Sequence, residues 1–443
     1  SPAGAEAMCQ SKAEPLLAEA FDRTRSGSTA RQASAALCKG IIGTGIFALP
    51  PALRASGWVL GTFLALLCGF VSLLTMRYNF ACIRELRRRG YADDNDGRIE
   101  YNDIFAHSQL LSERANSLVT LLCVVGQLGS VLSFYAFVTN NVLSLLPAAV
   151  ARWHVSAAMT LFTAPLVLLR STSHPAFGAA MAFGNVAVAA ALGVIVYGGF
   201  SAALRSPPRA DHGELVAVDG GGLGLIFGVS LLMFSAHMEA VSIEQDMARR
   251  DEFDRVLSST FGGVVLGFLG FGLLVYACFG EATGRKMTSG GWEDVTILEN
   301  LDPHLEVSVV KLAMSVNLTF MTPITMLPAS KAVEDALRLS DLSSPSLVNA
   351  TRLGLICSCA VMATLLPNFE VISAVTGTAG GVTALVMPAL CYRHFCCADR
   401  AELTPAAQRQ EGAEARLALI VAVFGAVGFV YSLGNVVWTA TMC

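Results

Sequence analysis

The sequence predicts an all-α polytopic membrane protein, and three observations carry that prediction. Apolar residues fill 54% of the 443 positions and charged residues only 14%, a balance that soluble domains of this size do not show. Apolar runs of about 20 residues, the length a helix needs to cross roughly 30 Å of hydrocarbon, recur from residue 33 onward. The runs are continuous and do not alternate, so helices rather than barrel strands follow.

Taken in order, the runs predict eleven spans. The first, 33–53, carries a Lys and three glycines in "KGIIGTGIFALPP". The second, 57–82, is unbroken and leads into Arg84, Arg87, Arg88 and Arg89. The third, 116–147, contains the polar Gln127 and Tyr135, and the fourth, 154–170, closes on "PLVLLR". The fifth is 176–200, and the sixth, 222–248, is interrupted by His237 and Glu239. The seventh, 254–280, and the eighth, 305–330, flank a polar loop; the ninth, 350–367, the tenth, 369–392, and the eleventh, 414–439, complete the set.

Short cytoplasmic loops collect Lys and Arg. With the N-terminus inside, the cytoplasmic segments hold Arg23, Arg25, Arg31, the run Arg87 to Arg89, Arg249, Arg250, Arg255, Lys331 and Arg393, among others. The opposite side keeps little more than Arg54, Arg152, Arg205, Arg209, Arg285 and Lys286. An odd number of spans then puts Cys443 outside or in a lumen. The organisation expected is a cytosolic tail at 1–32, a membrane domain at 33–439 and a short end at 440–443. Most of the twelve cysteines, Cys38, Cys68, Cys123, Cys278, Cys357 and Cys359 included, fall within spans and read as small core residues. Cys396 and Cys397 follow a span on the basic side, a setting for S-palmitoylation.

The breaks in the spans carry the function. A helix from Ala33 loses its ladder near Gly43-Thr44-Gly45, because glycine costs more backbone entropy in a helix than any other residue. Unpaired backbone groups at mid-membrane are tolerated only where they line a cavity or bind something. The second irregular span comes five spans later, at "FSAHMEAVSIEQDM", residues 234–247. Two broken helices in equivalent positions of two five-helix halves, 33–200 and 222–392, point to an inverted-repeat transporter with its site at the midplane. Close helix packing is the competing explanation for the glycines, and the pairing of two breaks disfavours it.

"KGIIGTGIFALPPALRASGWVLG" resembles the first-helix signature of the amino acid/auxin permease family. The likeness continues through "YNDI", "GQLGSVLSFYAFVTNN", "FSAHMEAVSIEQDMARRDEFDRVL", "FGEATGRKMTSGGWEDVTILENL" and "TPITMLPASKAVED", in the family's order. The resemblance implies a LeuT-type fold, two five-helix inverted repeats plus an eleventh helix, and secondary active transport of amino acids. It implies that Ile42, Gly43, Thr44 and Gly45 hold a substrate carboxylate at the unwound first helix. Phe234, Ser235, Ala236 and His237 would meet the amino group and side chain. Gln127 and Tyr135 would face the central cavity, and Thr322 would lie near the position completing a cation site.

The coupling ion is read from Lys39 and Met321. A Lys inside a span costs at least a few kcal/mol and needs protein, water or a snorkelling path to the headgroups. Sodium-coupled members place a hydroxyl two positions before the Pro of the eighth-helix motif. Met321 stands there, a poor ligand for a hard cation. Protons are therefore the expected coupling ion and sodium the less favoured one, with His237 and Glu239 as further titratable groups. Glu244 and Asp246 read as solvated carboxylates near the cytoplasmic end.

"ADDNDG" at 92–97 has Ala92 where a calcium loop needs its first ligand, so it reads as a solvated turn. No HExxH pair, phosphate loop or nucleophile elbow occurs, and neither a cofactor nor nucleic acid is expected. The expected partners are an amino acid substrate and membrane lipids. An amino-acid sensor is the alternative from another class. Plasma membrane and vacuolar or lysosomal membrane remain open.

Overall fold

The computed structural model describes residues 28–91, 99, 101–108, 113–147, 149–168, 175–205, 215–288, 291–301, 304–338, 345–366, 368–397 and 405–442. Most of the N-terminal tail, the 92–97 turn, Cys443 and the side chains of Cys396 and Cys397 lie outside the described residues.

The first span is two helices, α1 (Ala30–Ile41) and α2 (Gly45–Ser56), bent by 54° at the break. There follow α3 (Trp58–Arg88), the short loop helix α4 (Tyr101–Ala106), α5 (Glu113–Leu143), α6 (Arg152–Val167) and α7 (Pro175–Arg205). The sixth span is again two helices, α8 (Leu223–Phe234) and α9 (His237–Asp246), followed by α10 (Phe253–Phe279). After these come α11 (Leu305–Ala336), α12 (Pro345–Leu365), α13 (Phe369–Gly381), α14 (Met387–Cys397) and α15 (Pro405–Met442).

Among the described residues, nine helical segments are long and apolar enough to cross a membrane, and the bent pair α1 and α2 makes a tenth. The protein is a multi-pass membrane protein. The fourth predicted run forms only the 16-residue α6, with Pro165 near its end, and falls short of a full crossing length. A second departure from the all-helical expectation is a hairpin in the loop after α10. There β1 (Arg285–Thr288) pairs antiparallel with β2 (Gly291–Asp294). Gly284 and Gly291, at φ of +69° and +118°, let the chain turn into and within it.

The centre is packed backbone to backbone. α8 lies against α13 through Gly228 and Gly377, whose missing side chains admit the neighbouring main chain. α5 packs on α11 and α13, α2 on α8 and α10, and α1 on α9 and α10. Gly57, between α2 and α3, combines φ of +81° with a main-chain neighbour: a Cβ there would stand 2.6 Å from Ala217 and Val218. Gly57→Ala is expected to destabilise the fold by about 1–3 kcal/mol, seen as a lower melting temperature of the detergent-solubilised protein.

Candidate functional site: two facing helix breaks

The site is built from the two interruptions. α1 ends at Ile41, and Gly43 stands exposed beyond it with open space where a side chain would project. The N-terminus of α2 has no side-chain cap from Thr44, so its first-turn N–H groups face the break. Those N–H groups and the positive end of the α2 dipole suit an anion. In the sixth span, Ser235 and Ala236 leave helical geometry between α8 and α9, again with no side-chain cap.

The two breaks lie side by side. A Cβ on Gly45 would sit 2.6 Å from Met233 Cγ, and one on Gly40 would sit 3.2 Å from Glu239 Cβ. The first half of the first span thus runs beside the second half of the sixth, and the second half beside the first: the two spans are antiparallel. Helix ends leave first-turn N–H groups and last-turn carbonyls without intrahelical partners, and the approach of Gly45 to Met233 sets the start of α2 against the end of α8.

Around this level the structure places the other predicted residues differently. Ser235 faces Gly380 of α13, which in turn lies 3.8 Å from where a Cβ on Gly126 of α5 would be. Gln127, on the same helix, donates from Nε2 to Met238 Sδ at 3.3 Å, joining the third span to α9. Phe234 turns its ring away from the break and onto Phe261 of α10, with centroids 5.9 Å apart. Tyr135 is fully buried, its hydroxyl 3.0 Å from Thr160 and 3.3 Å from Thr163 on α6. Thr322 is buried and donates to the Leu318 carbonyl within α11, while Met321 beside it is half-buried.

His237 opens α9 and is 2% exposed. Its Nε2 lies 2.8 Å from Thr75 Oγ1 of α3, a partner that the sequence did not suggest. The Thr75 hydroxyl is already directed at the carbonyls of Val71 and Ser72, 3.1 and 3.0 Å away. Thr75 thus bridges His237 Nε2 and the backbone of α3, and His237 Nδ1 has no hydrogen-bond partner among the described residues. Lys39, in the last turn of α1, has its Nζ enclosed by protein, again without a hydrogen-bond partner among the described residues. Glu239 sits in the first turn of α9 against Gly40, next in sequence to Lys39.

The basic end of the bundle is held together by contacts the sequence did not reveal. Ser28 pairs with the end of α9, its N–H donating to the Asp246 carbonyl at 2.8 Å and its carbonyl accepting from Ala248 at 3.1 Å. Glu244 is not solvated as expected: it is 7% exposed and takes both terminal nitrogens of Arg87 at 3.2 Å. Arg87 therefore acts in packing as well as in charge asymmetry.

Comparison with known proteins decides the family. The profile described as "Transmembrane amino acid transporter protein" matches residues 26–438, nearly the whole chain. The chain belongs to this transporter family. The transmembrane amino acid transporters are transport proteins and not enzymes, in keeping with the absence of catalytic motifs. Similar family members come from Arabidopsis thaliana. Amino acid transporter ANT1 is 22% identical over 395 residues, covering 85% of this chain and 87% of the relative. Amino acid transporter AVT3A is 27% identical over 365 residues, covering 79% and 78%. Amino acid transporter AVT3C is 24% identical over 375 residues, covering 79% of each.

Proposed function

We propose that the chain is a secondary active transporter of small neutral amino acids, driven by protons and working by alternating access. The observation that carries this reading is the side-by-side placement of the two breaks, Gly43 to Gly45 beside Ser235 and Ala236. The substrate carboxylate docks at the N–H groups of Gly43 to Gly45, and its amino group meets the carbonyls ending α8. Gly126 and Gly380, which bring α5, α13 and Ser235 into close contact beside the break, favour a small substrate side chain. Residues 33–200 and 222–392 form two inverted repeats of a LeuT-type fold, the last helix stands outside them, and the N-terminus is cytosolic. Closure of the first and sixth spans on substrate, with a proton taken at or near Lys39 or His237, permits the bundle to rock. Glu239 is the third candidate for that proton. A plasma membrane or an acidic-lumen membrane of vacuolar or lysosomal kind would each supply the gradient.

Uptake of a panel of labelled amino acids into proteoliposomes, under an imposed pH gradient or sodium gradient, tests the reading. A pH gradient alone is expected to drive accumulation, and sodium is expected to add nothing, because Met321 presents no oxygen where a cation ligand is needed. A sodium requirement would refute proton coupling. Binding without flux would favour a sensor.

A further inference from the structure

The motif "YNDI" at 101–104 takes no part in the breaks, yet its tyrosine reaches the tenth span. Pro388 lies inside that span, where it has no N–H to donate and its ring would clash with the carbonyl of Ala384, four residues back. The chain answers with one wide turn over Val382–Val386, in which the Met387 N–H reaches back to the Val382 carbonyl. The Thr383 carbonyl is left without a backbone donor, since the residue five positions on is Pro388 itself. A carbonyl orphaned within a membrane protein has to be satisfied from elsewhere. The donor is the hydroxyl of Tyr101, 2.8 Å away on a side chain only 5% exposed.

The loop that carries Tyr101 is fastened to α9. Gln245 of α9 accepts from the Ile99 N–H at 3.0 Å and donates to the Ile99 carbonyl at 2.7 Å. The Tyr101 ring also stands edge-on to His237, with centroids 6.4 Å apart. The loop is thus bonded to the second half of the sixth span, and its helix α4 also packs on α3, α5 and α14. The wide turn, by contrast, belongs to the tenth span and packs on α15.

We propose that Tyr101 is a positioning residue for transport: its hydroxyl ties the second half of the sixth span to the wide turn of the tenth, and this tie parts when the two move relative to each other. The inference rests on the alternating-access reading above. Tyr101→Phe removes a hydrogen bond that only the conformation seen here makes, so this end state alone is destabilised and the balance of end states shifts by about tenfold.

Exchange of labelled alanine in proteoliposomes, titrated from each membrane face, tests this for Tyr101→Phe, Pro388→Ala and the double variant. Tyr101→Phe is expected to move the two half-saturating concentrations in opposite directions, changing their ratio about tenfold. Pro388→Ala restores an N–H for the Thr383 carbonyl, so adding Tyr101→Phe to it is expected to change the ratio by less than about twofold. A lower rate with both concentrations unchanged, or additive effects, would overturn the proposal. Backbone hydrogen exchange of the full chain is followed in parallel. Tyr101→Phe is expected to raise exchange across residues 237–246 and 382–397 by about tenfold, and unchanged exchange would refute the tie whether or not the protein transports. Raised exchange without wild-type flux would support the tie and sink the transport reading instead.

Discussion

Lys39→Ala is expected to abolish pH-gradient-driven accumulation, by about a hundredfold or more, while exchange of substrate across the membrane persists. The ammonium lies in the last turn of α1, immediately before the backbone opens at Ile42 to Thr44. Its Nζ is enclosed by protein rather than extended to the helix end, so snorkelling does not account for it. A buried charge without a partner costs several kcal/mol. The negative end of the α1 dipole offsets only about 0.3–1 kcal/mol of that, up to ~2 in a partly buried setting. In the proton-driven reading proposed above, gaining or losing one proton at Lys39 changes this cost between conformations. Alanine removes the site while leaving the N–H groups of α2 in place for the carboxylate. Wild-type accumulation by Lys39→Ala would show that the proton is carried elsewhere, with His237 the next candidate through its Nδ1.

Gly377→Val is expected to yield no monodisperse protein on size-exclusion chromatography of a fluorescent fusion. A Cβ at Gly377 would overlap the carbonyl of Gly228 and stand 2.6 Å from the backbone nitrogen of Leu232. A flexible side chain can swing aside, but two main chains cannot, so α8 and α13 would have to separate. Overpacking of about 1–3 kcal/mol or more at such a crossing is a large share of a protein's total stability. The separation would also displace the end of α8 from the start of α2, and with it the site. Gly262→Val provides the comparison, since nothing lies within 4 Å of a Cβ there, and it is expected to elute as the wild type does.

Much of the architecture was legible because the bilayer imposes one rule, that backbone groups be paired. A run of apolar residues with that constraint has to be a helix, which is why α3, α5, α7 and α10 follow the predicted runs closely. Both breaks were legible for the same reason, since glycines and polar groups at depth have no other licence. The hairpin at Arg285 to Asp294 was missed because its strands are too short to show alternation.

The candidate site divides along the same line. The sequence by itself determined that Gly43 to Gly45 and Ser235 to His237 interrupt helices, and that Lys39 and His237 are titratable groups beside those interruptions. Only the tertiary structure decided that Gly45 meets Met233, that Thr75 and His237 Nε2 share a hydrogen bond, and that Glu244 is buried on Arg87 rather than solvated. It also decided that Tyr101 fills the carbonyl Pro388 leaves open. The physical reason is range. Helix formation and helix breaking are governed by neighbours within a turn or so, whereas Tyr101 and Thr383 are brought together from distant parts of the chain by the packing of whole helices.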